Sequence, residues 1–285
     1  MRSPLCAITI ATTMLLGIAQ AVCQIETPAP SPKGKIEQRV GVMDVSVVYS
    51  RPGIKGRKIF GDLVPYGQVW RTGANDPTAI TFSDAVKLEG HDVPAGTYSL
   101  YTIPGEKEWT IIINKKTKGE AQRDEKEDVT TFTVKPSQTP STVETFTINV
   151  TDIMINTANL ELAWENTLVK FRMEFDVDGK VMPAIKKFVE SPNSGTASQY
   201  YQAAFYYFNT GKDMNAALEW VNKSLALNDK PYWVWRVKSQ IQAALKDYKG
   251  AIATAQTGKA RAKEAGNDQY VKFNDDAIAE WSKMK

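Results

Sequence analysis

Between positions 51 and 71 five cations, Arg51, Lys55, Arg57, Lys58 and Arg71, stand against the single carboxylate of Asp62. Tyr66, Trp70 and Asn75 are interleaved with or follow them, and Gly53, Gly56, Gly61 and Gly67 let the backbone turn sharply and approach a neighbour closely. A guanidinium fork takes carboxylate, sulfate or phosphate in bidentate geometry, and an aromatic face stacks on an organic ring. The chemistry that these types suggest is recognition of an anionic small molecule or glycan. Arg51, Arg57, Tyr66, Trp70, Arg71 and Asn75 are the candidate ligand-binding residues. The same types also serve a fold with no ligand, when an arginine pairs with an internal carboxylate, lies along a ring or caps loop carbonyls. Exposed ion pairs contribute about 0–1 kcal/mol, whereas breaking a buried pair costs about 3–5 kcal/mol. That difference is enough to retain an arginine for folding alone. In that case Trp70 to Asn75 closes a loop, with Asn75 and Asp76 making side-chain turns before Pro77.

Other chemistry is thinly supplied. The chain holds 1 His and 2 Cys, too few for a zinc site. His91 sits in the polar stretch Glu89-Gly90-His91-Asp92, and the sequence has no G-x-S-x-G elbow to partner it. Asp176-Val177-Asp178-Gly179 has a partial likeness to a calcium loop but lacks its later acidic positions, so a turn at a strand end is expected there. No motif pairs two carboxylates across a cleft as glycoside hydrolysis requires. Phosphate-binding glycine patterns are absent. No catalytic residue, metal site or cofactor is assigned.

At 285 residues the chain suggests about two domains. With 42% hydrophobic and 24% charged residues it has ordinary globular composition. A net charge of +3 lacks the basic excess of a nucleic-acid partner. Arg2, the apolar run from Leu5 to Ala19 and the small residues Ala19 and Ala21 read as a secretory signal peptide over 1–23, cleaved near Ala21 to Cys23. The mature protein is then expected to be periplasmic or secreted, with no membrane span and no intramolecular disulfide, because both cysteines lie within the first 23 residues.

A flexible segment is expected over 24–35 and a β-sandwich domain over 36–190. Val45, Val47 and Tyr49 alternate, as do Phe171, Met173 and Phe175, and turns such as Pro94-Ala95-Gly96 separate about nine such strands. The fold class is an all-β sandwich or jelly-roll-like domain followed by an all-α helical domain. Glu165-Asn166 reads as a hairpin turn, the charged stretch Lys115 to Asp128 as a solvated loop, and Pro183 to Val189 as a short helix. A linker is expected at 191–195. Beyond it, a 34-residue period aligns Tyr201 with Trp235, Ala217 with Ala251 and Ala226 with Ala260, the spacing of a tetratricopeptide-like repeat. Two repeats fit within 196–285, with a capping helix from Asp268 to Met284.

The series Tyr49-Ser50-Arg51-Pro52, Lys55-Gly56-Arg57, Phe60-Gly61, Pro65-Tyr66-Gly67 and Trp70-Arg71-Thr72-Gly73-Ala74-Asn75 resembles that of an exported bacterial family, domain of unknown function 2911. Pro94 to Leu100 and Glu108-Trp109-Thr110 with Asn114 extend the likeness, which runs from about Ser31 to Phe175. The resemblance implies a β-rich exported domain, often with a helical-repeat tail, and no established activity. The expectation is a non-enzymatic binding or assembly module whose arginine and aromatic loops hold an anionic small molecule or glycan. One alternative is a hydrolase or lyase acting on an anionic glycan or cell-envelope component, with Arg51, Arg57 and Arg71 orienting substrate and Tyr66 in acid/base work. Another makes the arginine loops purely structural and leaves a protein partner to the helical repeats.

Overall fold

A computed structural model describes residues 27–117, 123–190 and 195–284. The expected signal peptide and the linker residues 191–194 lie outside the described residues. The chain divides into two compact units, one ending at Phe175 and one running from Asp176 to Lys285. A β unit is followed by an α unit, as the change of hydrophobic period implies.

Ten strands form the first unit: β1 (Lys33–Val40), β2 (Met43–Ser50), β3 (Thr78–Phe82), β4 (Val86–Leu88), β5 (His91–Val93), β6 (Gly96–Ile103), β7 (Trp109–Asn114), β8 (Asp128–Val134), β9 (Ser137–Thr151) and β10 (Thr157–Phe175). They make a six-stranded antiparallel sheet in the order β1-β2-β3-β6-β7-β8 and a four-stranded one in the order β5-β4-β10-β9. Alternation puts Val45, Val47, Tyr49, Ile80, Phe82, Leu100, Ile111 and Ile113 on one inner face. Ile148, Leu160, Leu162, Phe171 and Met173 are buried on strands of the other sheet. Phe132 meets Phe171 across the gap with ring centroids 5.5 Å apart.

Three local expectations change. Glu165-Asn166 is not a hairpin turn, because β10 runs through it and pairs with β9 on both sides, from Asn159–Thr151 to Leu168–Ser137. Glu165 takes φ 54° where the register against β9 shifts on both sides of it, by two residues between Ala163 and Glu165 and by three between Glu165 and Thr167, while the strand continues. Strand β1 begins at Lys33, within the segment expected to be flexible, because Lys33 to Lys35 pair with Ser50 to Val48. The charged stretch from Lys115 to Asp128 is not wholly solvated. Arg123 and Asp128 form an ion pair with side chains only 14% and 15% exposed, and Asn114 donates to the Asp128 carboxylate at 2.7 Å and to the Asp124 carbonyl at 2.8 Å. Residues 118–122 of that stretch lie outside the described residues.

The second unit holds α1 (Val177–Val189), α2 (Ala197–Asn209), α3 (Met214–Leu227), α4 (Tyr232–Ala244), α5 (Tyr248–Glu264) and α6 (Asp268–Trp281). Asp176-Val177-Asp178-Gly179 is the start of α1 rather than a strand-end turn, since the Asp176 side chain accepts from Gly179 N at 2.8 Å as an N-cap. The helix therefore begins six residues before Pro183. It packs with the helical core through Val181 and Ile185, so the contact boundary falls at Phe175 rather than in the linker. Asp213 and Asp247, 34 residues apart, cap α3 and α5, and Ala217 and Ala251 are fully buried inside them. Among the described residues no helix is long and apolar enough to cross a membrane.

Candidate functional site

Strand β2 ends at Ser50, where the chain leaves the six-stranded sheet and reaches the free edge of β9 in the other sheet. Tyr49 Oη accepts from Ile148 N at 3.0 Å, Phe146 N donates to Pro52 O at 2.9 Å, and Ile54 N donates to Glu144 O at 2.8 Å. Arg51 sits in this crossing. Its Nε donates to Phe146 O at 3.2 Å and its Nη2 to Thr147 Oγ1 at 3.0 Å, so the guanidinium joins the edge of β9 to the end of β2. An edge strand left bare is a template for wrong pairing, and here the backbone and Arg51 cover it.

Arg57 is also engaged, closing its own loop by donating to Ile54 O at 3.0 Å and Gly53 O at 2.7 Å. Tyr66 lies exposed against Gly61, where a Cβ would come within 2.7 Å of its ring; Gly61 has φ 86°. Leu63 and Val69 of the same loop are exposed too.

Trp70 points inward. Its ring stacks on Trp164 at 5.8 Å and 18°, meets Phe146 at 5.1 Å, and belongs to a cluster with Phe60 and Trp109. Its Nε1 donates to Gly73 O at 3.1 Å. The next turn is held against conformational preference. Thr72 is buried with φ 55°, an outlying value for a β-branched residue, and Asn75 has φ 59°. The Thr72 hydroxyl meets Thr102 Oγ1 at 3.2 Å, the Thr78 hydroxyl donates to Thr72 O, and Asn75 Nδ2 reaches Ser50 Oγ at 3.4 Å.

Arg71 lies between these fixed neighbours. Its carbonyl accepts from Thr78 N at 3.1 Å, yet its Nε is buried and, among the described residues, without a hydrogen-bond partner. No ion pair engages its guanidinium among the described residues either.

The six candidates therefore do not share one purpose. Arg51, Trp70 and Asn75 come together at the β2 corner, Arg57 caps its own loop, and among the described residues Arg71 Nε lacks a partner while Tyr66 is exposed. Sequence reasoning missed Thr72, whose strain no composition reveals, and Thr102, thirty residues away. It also missed Tyr101, a buried phenol on the sheet face. Burial pushes this phenol up, against the Ser99 hydroxyl and the Arg123 charge. Desolvation alone would raise the Asp128 carboxyl, but hydrogen bonds from Arg123 and Asn114 hold it below the usual range. Among the described residues no cluster of three or more His, Cys, Asp or Glu is placed to hold a metal.

The model of the family described as Protein of unknown function (DUF2911) matches residues 31–173. No curated protein and no solved structure matches the chain.

Proposed function

The chain belongs to the DUF2911 family, and from that premise we propose that it is a non-enzymatic binding module that holds an anionic ligand at Arg71. One observation carries this reading. Arg51 spends its guanidinium group on the Phe146 carbonyl and the Thr147 hydroxyl and Arg57 spends its own on two loop carbonyls, whereas Arg71, on a backbone pinned on both sides, holds a buried donor that nothing satisfies among the described residues. Leaving such a donor unsatisfied costs about 1–3 kcal/mol, and strained backbone concentrates at ligand clamps. An oxyanion drawn to the guanidinium offsets its partial desolvation, and the exposed Tyr66, Leu63 and Val69 offer apolar surface in the same loop. The signal peptide and an extracytoplasmic location belong to this proposal as the setting in which such a ligand is met.

A hydrolase or lyase is less well supported, because two of its three orienting arginines are engaged by loop and edge carbonyls. A second reading draws on a different observation. In the helical unit Phe205, Trp233 and Phe273 are 41%, 41% and 37% exposed on α2, α4 and α6, a composition typical of protein-binding surfaces.

Thermal-shift and calorimetric titration with carboxylated and sulfated sugars tests the first reading. Binding by the wild type that is lost in Arg71→Ala but kept in Arg57→Ala is expected. Binding unaffected by Arg71→Ala rejects it.

A further inference from the structure

The backbone bonds around Trp70 assign Arg71 to a particular surface. Trp70 and Thr102 exchange both backbone hydrogen bonds, at 2.7 and 2.9 Å, so they form a hydrogen-bonded antiparallel pair with the end of β6. In such a pair the flanking residues turn their backbone groups away, as the Arg71 carbonyl does toward Thr78 N. Arg71 therefore lies opposite Tyr101 and Val69 opposite Ile103. With Trp70 inside the sandwich, alternation puts Val69 and Arg71 on the outer face of the six-stranded sheet, and Val69 is indeed 45% exposed.

The register extends this surface across the sheet. Ile103 pairs with Thr110, and Thr110 with Thr133, so one row runs Val69, Ile103, Thr110, Thr133 across three strand spacings, about 14 Å at 4.7–4.9 Å each. The row carries apolar groups and hydroxyls but no charge. Elsewhere on the face Lys35 and Glu37 on β1 neutralise each other at 2.6 Å. Arg123 and Asp128 do the same toward β8. Exposed Glu106, Lys107 and Glu108 in the β6–β7 turn bound the row on one side. Among the described residues Arg71 is thus an unneutralised cation at one end of an uncharged, hydroxyl-bearing strip.

We propose that this outer face binds a linear acidic glycan, with one oxyanion of the chain at Arg71 and its following rings laid along Val69, Ile103, Thr110 and Thr133. This rests on the reading that Arg71 holds an anion, and adds the ligand class and its direction. Sugar rings suit the strip because their C–H faces lie on Val69 and Ile103 while their hydroxyls bond the threonines. A small anion without the chain would use Arg71 alone.

The test titrates the full chain with D-galacturonate, its linear tetramer and a sulfated tetrasaccharide, in the wild type, in Arg71→Ala and in a Thr110→Val, Thr133→Val double variant. Valine keeps the β-branched shape of threonine, and an unchanged melting temperature verifies the fold. A tetrasaccharide should bind at least tenfold more tightly than the monomer, Arg71→Ala should weaken every acidic sugar at least tenfold, and the threonine variant should weaken tetrasaccharides several-fold while leaving the monomer unchanged. Preference for the sulfated chain supports the proposal with sulfate as the oxyanion. Equal affinity for monomer and tetramer, or a threonine variant without effect on either, overturns the glycan strip and leaves the Arg71 reading standing. Absence of binding by every anion overturns both.

Discussion

Trp70 and Thr102 are joined by two reciprocal backbone hydrogen bonds, Trp70 N to Thr102 O at 2.7 Å and Thr102 N to Trp70 O at 2.9 Å. That pairing sends the indole inward onto Trp164 and the next side chain, Arg71, outward. One short bridge thus sends two adjacent side chains to opposite faces of the sheet.

The arginines of the loop region should differ in what they contribute to stability. Arg51→Ala removes two charge-assisted bonds at the β9 edge and is expected to cost about 1.5–3 kcal/mol. Arg71→Ala breaks no such bond among the described residues and should stay within about 0.5 kcal/mol of the wild type, or stabilise. Urea unfolding midpoints at constant slope check the order, and a larger loss for Arg71→Ala would contradict it.

Removal of Arg123 should be among the costlier changes in the sheet. It leaves the largely buried Asp128 carboxylate without its counterion, and breaking such a pair costs about 3–5 kcal/mol. Removing both partners by Arg123→Ala with Asp128→Ala should cost less than the two single changes together, which a double-mutant cycle by denaturant unfolding measures.

Gly61→Ala should destabilise by more than about 1 kcal/mol, because φ is 86° and the new Cβ would meet the Tyr66 ring at 2.7 Å. Gly56→Ala shares the positive φ, at 73°, but has open space around it. The difference between the two melting temperatures therefore isolates the contact with Tyr66; equal losses would mean that the ring moves aside freely.

The helical unit should lose stability at both extremes of pH through one cluster. The Lys212 ammonium and the Tyr206 hydroxyl, 2.8 and 2.5 Å away, hold the Asp178 carboxyl below its usual range. Its contribution is present above the unfolded value near about 3.9 and is lost as pH falls through the lower folded value. Burial, reinforced by the Asp178 carboxylate, pushes the Tyr206 phenol up. That contribution is complete below about pH 10 and declines as pH rises toward the folded value. Helical circular dichroism against pH should flatten at the acid end in Asp178→Asn and at the alkaline end in Tyr206→Phe.

Much of the fold was legible because periodicity reports burial directly. Val45, Val47 and Tyr49 alternate because a sheet buries one face, and Ala217 and Ala251 recur because helix pairs need small residues where they approach. The arginine and aromatic series was legible as an unusual concentration of types, but not as a site. Glu165-Asn166 has the composition of a turn, and only a partner strand on both sides of it makes it a bulge. Charge likewise implied solvent around Lys115 to Asp128, and the Asn114 amide with the Arg123–Asp128 pair drew part of that stretch against the sheet.

By itself the sequence determined a β unit followed by a helical one, the scarcity of histidine and cysteine chemistry, and the concentration of arginine, aromatic and glycine residues between positions 51 and 75. These follow from composition and local period, which depend on neighbours along the chain. Tertiary structure alone decided which arginine is left without a partner among the described residues, because that depends on an acceptor 95 residues away for Arg51 and on a register set by Thr102 for Arg71. Three guanidinium groups of the same chemistry end in three different environments, since a hydrogen bond is spent where the fold brings an acceptor within about 3 Å and is left over where it does not.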